Sequence, residues 1–136
     1  MKVRILVVDD HAIVRHGLRL LLGAHPEWEI VDEAVDGMEA VEKADLLKPD
    51  VVVLDVSMPR MDGLEACRRI RKSVPKSEIL IVTQHDSPQM MREALGAGAR
   101  GYVVKSNVAR DLPAAVEAAS QHGLFAAEDR GQASGS

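Results

Sequence analysis

Five short aliphatic runs, each followed by a segment of helical spacing, constrain this chain more than any other feature. Val3–Val8, Ile30–Val35, Val51–Leu54, Ile79–Val82 and Gly101–Val104 read as strands. The first, third and fourth are continuous and rich in β-branched residues rather than alternating, as in strands covered on both faces. Apolar stripes at helical intervals fill the gaps. Ile13, Gly17, Leu20, Leu21 and Ala24 form the first; Met38, Val41, Ala44 and either Leu46 or Leu47 the second. Leu64, Cys67, Ile70 and Val74 form the third, Met91, Ala94, Leu95 and Ala97 the fourth, and Val108, Leu112, Ala115, Val116 and Ala119 the fifth. Gly23, Pro26, Pro49, Pro75 and Gly98 punctuate the series.

Strand and helix alternating five times over imply an α/β fold. Each right-handed crossover lays its helix on one side of a parallel sheet. The expected architecture is a single-domain, doubly wound (βα)5 sheet of flavodoxin-like order 2-1-3-4-5. With 136 residues the chain has one domain's length; residues 1–123 are expected to fold, and 124–136 to form a flexible tail or linker stump. A net charge of −4 and 2% aromatic content argue against a nucleic-acid surface, which needs clustered cations and stacking rings. Cys67 is the single cysteine, so no internal disulfide or cysteine-based zinc site exists, and its place on the third stripe reads as core. Aliphatic runs of about four residues, against the roughly twenty of a membrane span, predict no membrane segment. With no signal-peptide anatomy at Met-Lys-Val-Arg, the expected location is the cytosol.

In such a sheet the ligand site lies beyond the carboxyl ends of the strands, where the strand order reverses. There the first strand ends in Asp9 and Asp10, the third in Asp55, the fourth in Thr83 and the fifth in Lys105. Three converging carboxylates repel one another unless a cation sits among them, and Mg2+ suits carboxylate, carbonyl and water oxygens. Carboxylates, a divalent cation, an ammonium and a hydroxyl together can cradle a phosphoryl group. Taken singly, each residue has a plainer reading: Asp10 as the cap of a helix starting near Ala12, Lys105 as a solvated cation, Thr83 as a turn residue. The histidines, His11 and His16 among them, show no helical metal-binding spacing and read as surface or capping residues. Gly96-Ala97-Gly98-Ala99-Arg100-Gly101 matches a dinucleotide fingerprint, but it leads from helix to strand and reads as a cap and turn.

Val-Val-Asp-Asp-His after the first strand, Leu-Asp-Val-Ser-Met-Pro-Arg-Met-Asp-Gly-Leu-Glu-Ala around the third, Val-Thr-Gln-His-Asp after the fourth and Ala-Gly-Ala-Arg-Gly-Tyr-Val-Val-Lys-Ser around the fifth resemble the receiver domain of two-component response regulators. The Asp-His pairing and the Gly-Ala-Arg-Gly-Tyr stretch are most similar to the NarL/FixJ (LuxR-type) subfamily. That resemblance implies that Asp55 accepts a phosphoryl group from a sensor histidine kinase, with Mg2+ held by Asp9, Asp10, Asp55 and the Ser57 carbonyl. It also implies that Lys105 and Thr83 contact the phosphoryl oxygens, that Met58 and Pro59 shape the following loop, and that Thr83 and Tyr102 form the switch. Gln84 departs from the small residue or Met common after Thr83, and Ser57 and His85 occupy positions that modulate phosphoryl lifetime.

The resemblance further implies a phosphorylation-controlled signalling module, not an enzyme beyond its own phosphorylation and dephosphorylation. DNA would be reached only through a C-terminal helix-turn-helix, for which the sequence after His122 is too short. The alternatives are a stand-alone receiver acting through protein contacts and a Mg2+-dependent aspartyl-phosphate phosphatase, which needs acid and nucleophile two residues apart where Asp9 and Asp10 are adjacent. The wide apolar surface of the first helix (Ile13, Val14, Leu18, Leu20, Leu21, Leu22) and the alanines of the fifth offer a homodimer contact. The face of the fourth helix, fifth strand and fifth helix is the other candidate.

Overall fold

The order of elements in the computed structural model, which describes residues 2–56, 63–84 and 87–122 and the backbone of 125–126, follows the hydrophobic pattern. Strands β1 (Val3–Val8), β2 (Trp28–Ala34), β3 (Val51–Asp55), β4 (Glu78–Thr83) and β5 (Gly101–Val104) alternate with helices α1 (Ala12–Gly23), α2 (Gly37–Leu47), α3 (Gly63–Ser73), α4 (Pro88–Gly96) and α5 (Val108–Ser120). A single 3₁₀ turn, Lys105–Asn107, links β5 to α5. The strands pair in parallel in the expected order β2-β1-β3-β4-β5. One element has no counterpart in the sequence reading: β6 (Phe125–Ala126) pairs in parallel with β5, Gly101 opposite Phe125 and Tyr102 opposite Ala126. It falls inside the segment expected as a tail, and two residues carry no periodicity from which a strand can be read.

Alternation along each strand divides the core in two. Leu6, Val8, Val52, Leu54, Ile79, Ile81, Tyr102 and Val104 face α2, α3 and α4. Ile5, Val7, Val51, Val53, Leu80, Val82 and Val103 face α1 and α5. Burial on both faces is why these runs are continuous rather than alternating. No helix among the described residues is long and apolar enough to cross a membrane.

Two helices are rotated from the expected stripes. In α1 the residues turned to the sheet are Leu18 and Leu22, with Val14 and Leu21 beside them, while Ile13 and Leu20 are 87% and 65% exposed. Two overlapping stripes run along this helix, and side chains on β2 choose between them. Glu33 is bonded by Arg15 Nε at 2.9 Å and Arg19 Nη1 at 2.5 Å, which turns Ile13 and Leu20 to solvent. Leu18 is therefore core, not docking surface. In α2, Ala40 and Ala44 are buried, and Met38 is half exposed. The stripes of α3, α4 and α5 stand as read, with Leu64 and Met91 packed at the margin.

Local chemistry fixes the helix ends. The Asp36 carboxylate accepts from the Glu39 backbone N–H, and Ser87 Oγ accepts from that of Met90 with Pro88 at the first helical position. Gly98, at φ +103°, turns the chain from α4 into β5, so the glycine-rich stretch is a cap and turn as expected.

At the end of the sheet opposite the acidic residues, Glu78 is buried beneath Arg71 (3.3 Å), Arg100 (3.1 Å) and His122 (2.5 Å). Burial alone pushes its carboxyl upward, but hydrogen bonds from His122 and Arg100 and the charges of Arg100 and Arg71 hold it below its ordinary 4.5. A depressed carboxyl contributes stability that is complete above pH 4.5 and is lost as pH falls through the folded value. Glu78→Gln is expected to lower unfolding stability at pH 7 by about 1–3 kcal/mol in urea titrations, the difference narrowing in acid. Burial likewise pushes the Cys67 thiol up to about 12. Native protein at pH 8 is expected to resist thiol alkylation, and the same chain in denaturant to react fully.

Candidate functional site

Register carries the charged residues to one place. Val8 lies opposite Leu54, Asp55 opposite Val82, and Thr83 opposite Val104, so the carboxyl ends of β1, β3, β4 and β5 stand side by side. Asp9 and Asp10 follow β1, Asp55 and Thr83 end β3 and β4, and Lys105 follows β5. Asp9, Asp55 and Thr83 are buried, and Asp10 is 27% exposed at the rim. Gln84, directly beyond Thr83, is exposed.

The Lys105 ammonium lies 3.4 Å from Asp9 Oδ2 and 3.4 Å from Asp55 Oδ2. A carboxylate oxygen from each of Asp9, Asp10 and Asp55 lies within 4.8 Å of the others, together with a ring nitrogen of His11. At that separation two ionised carboxylates repel by about 3 kcal/mol at an effective dielectric near 20, so one ammonium does not offset three of them. Asp10 Oδ1 is buried yet accepts no hydrogen bond. A buried carboxylate oxygen that accepts no hydrogen bond, set among other carboxylate oxygens, fits a hard divalent cation, and Asp9, Asp10 and Asp55 could hold one.

The backbone around these groups is tightly specified. Asp9 N–H donates to the Ala34 carbonyl at 3.1 Å, and the Asp9 carbonyl accepts from Arg15 Nη1 at 2.7 Å. Asp9 Oδ1 accepts from His11 N–H at 2.9 Å. His11, not Asp10, is the residue that caps α1, and its side chain makes no cap hydrogen bond. The plain reading of Asp10 as a helix cap therefore falls, whereas His11 is the exposed capping residue that its sequence context suggests, with its Nδ1 3.0 Å from Asp10 Oδ1 and 3.2 Å from Asp9 Oδ1.

Gly63 is a positioning residue that pattern reading passed over. A Cβ there would stand 2.4 Å from the Asp55 carbonyl oxygen and 2.5 Å from Val56 Cα, so α3 rests directly on the backbone of the central acid. The signal was the glycine itself, at the start of a helix where a better helix former would otherwise serve. Tyr102 is fully buried in the layer under α4 rather than at a surface edge. Ser57, Met58, Pro59 and His85 lie outside the described residues.

Residues 5–117 match the family described as the response regulator receiver domain. The chain is 44% identical over 115 residues to the DNA-binding transcriptional activator DevR/DosR of Mycobacterium tuberculosis, covering 85% of this chain and 53% of that protein. It is 35% identical over 124 residues to the transcriptional regulatory protein DegU of Brevibacillus brevis, covering 91% and 52%. Among solved structures, a two-component response regulator of the LuxR family from Aurantimonas sp. SI85-9A1 superposes with a TM-score of 0.87 at 40% identity, covering 93% of this chain and 89% of that one. The chain spans about half the length of the curated relatives it matches. These relatives are regulators of the NarL/FixJ type.

The contact of Gly63 with Asp55 gives a direct test. Gly63→Ala is expected to destabilise the fold by about 1–3 kcal/mol, because backbone rather than a flexible side chain must yield. In amide NMR spectra its largest shifts should fall at Asp55 and Val56; shifts confined to α3 would contradict the contact.

Proposed function

The chain belongs to the response regulator receiver family, and on that premise we propose that Asp55 is its phosphoryl acceptor and that a sensor histidine kinase is the donor. The observation that carries this reading is the Lys105 ammonium set at equal distance from Asp9 and Asp55 at the carboxyl end of a parallel sheet. An Asp55 carboxylate oxygen attacks the phosphorus of a phosphohistidine. A P–O bond forms as the P–N bond breaks, and the imidazole departs with the electron pair. Asp9, Asp10, Asp55 and the Ser57 carbonyl are the residues that would hold Mg2+, which when bound supplies positive charge to the phosphoryl oxygens. Lys105 offsets charge on a second oxygen, and the Thr83 hydroxyl donates to a third. Catalysis is positioning and electrostatics, so no general base is needed.

The added phosphoryl brings about two negative charges and three acceptor oxygens. Thr83 responds first, because it ends the strand beside Asp55. Tyr102, two residues before Val104, follows. Here its ring is already inside, the position that the resemblance assigns to the phosphorylated form. Met58 and Pro59 follow the acceptor in sequence, and the family resemblance assigns them the shaping of that segment. The surface that changes is that of α4, β5 and α5, with β6 hydrogen-bonded along β5. A cytosolic location suits a kinase partner.

Transcriptional output through a DNA-binding segment is proposed from the relatives' names; a receiver acting only through protein contacts is the second reading. Exposed Ile13 and Leu20 on α1 favour self-association through α1 and α5 over the α4-β5-α5 face.

Acetyl phosphate with Mg2+ is expected to add one labile phosphoryl mass to the intact protein. Asp55→Ala should abolish the addition, and Lys105→Ala should slow it by about tenfold or more. An unchanged mass in the wild type, or full labelling of Asp55→Ala, would overturn the assignment.

A further inference from the structure

We propose that His11 supplies a nitrogen ligand to the cation held by Asp9, Asp10 and Asp55, tilting the site toward Zn2+ relative to an all-oxygen receiver site. The inference rests on reading the three carboxylates as a cation site, and it adds a fourth donor of different chemistry.

The geometry points to this role. Cis ligands about 2.1 Å from one ion lie about 3 Å apart. His11 Nδ1 stands 3.0 Å from Asp10 Oδ1 and 3.2 Å from Asp9 Oδ1. Asp10 Oδ1, although beside that nitrogen and buried, receives no hydrogen bond from it. The two atoms stand at the spacing of ligands that share an ion. The ring is held within the cluster and not by the helix: Nδ1 is in hydrogen-bond contact with Asp9 Oδ1 at 3.2 Å, a contact that a bound cation would replace, and His11 caps α1 through its extended backbone (φ −102°, ψ 116°) without a side-chain cap bond. Its N–H bond to Asp9 Oδ1 ties the residue's main chain to the same carboxylate. The side chain is 63% exposed, so the ring can exchange an inner position with water.

Neutral imidazole is a good ligand for Zn2+ and a poor one for Mg2+, which holds its waters and prefers oxygen. Loss of the ring is therefore expected to separate the two ions. Calorimetry with Mg2+ alone and with Zn2+ alone on the full chain, wild type against His11→Ala and His11→Asn, makes the test. Asn retains a good helix cap, so both variants failing alike is a ligand effect rather than a capping one. Zn2+ affinity should fall by about tenfold or more in both, while Mg2+ affinity changes by less than about threefold. Long-range nitrogen NMR should show the His11 Nδ1 resonance shifting as Zn2+ binds the wild type. If Mg2+ binds and the variants leave Zn2+ affinity unchanged, or lower both ions equally, the nitrogen ligand is refuted while the carboxylate site stands. If neither ion binds the wild type, the carboxylate site itself is refuted.

Discussion

Everything at the carboxyl end of this sheet depends on how like charges are kept together. Asp9 and Asp55 are buried carboxylates at the ends of adjacent strands, with Asp10 at the rim, and the Lys105 ammonium is placed between the first two. One positive charge against three negative ones leaves a pocket that favours further positive charge. That residual field suits a cation, and under the proposed function it readies Asp55 for a phosphoryl group rather than for a structural ion pair.

The fold serves that arrangement through register and close contact. Parallel pairing brings four strand ends level, both layers of the core clamp the strands from either side, and Gly63 lets α3 settle against the main chain of Asp55. Arg15 spans from α1 to the Asp9 carbonyl while its other nitrogen bonds Glu33, so the helix next to the acids cannot rotate independently of them. At the far end of the sheet, Glu78 and the side chains around it do an unlike job. Its charge is satisfied by Arg71, Arg100 and His122, which ties α3, β4, β5 and the end of α5 together. At one pole cationic and imidazole groups outnumber the single carboxylate, at the other three carboxylates surround one ammonium, and this contrast separates a stabilising cluster from the candidate site in space.

Strand positions were legible because burial on both faces leaves long aliphatic runs with no polar interruption. Residues at strand ends were legible too, since a parallel sheet makes sequence position equivalent to spatial position. The rotation of α1 was not: six of its residues are large aliphatics, and the choice between two stripes is made by Glu33 on another element. β6 was hidden because two residues have no period. The place of His11 beside the acids is not legible from histidine spacing, because the groups around it are carboxylates: Asp10 next to it, Asp9 two residues before and Asp55 on another strand. Gly63 was invisible for a related reason, as close backbone approach is a property of two segments and not of one.

The most direct test of the central claim is an amide NMR titration with beryllofluoride, a mimic of the phosphoryl group, with and without Mg2+. If the acidic pocket captures a cation and then a phosphoryl-like group, the spectrum should change only when both are present. The changes should begin at Asp9, Asp10, Asp55, Thr83 and Lys105 and extend to Tyr102 along β5. A spectrum that stays the same with both additions, or that changes equally without Mg2+, would contradict the account.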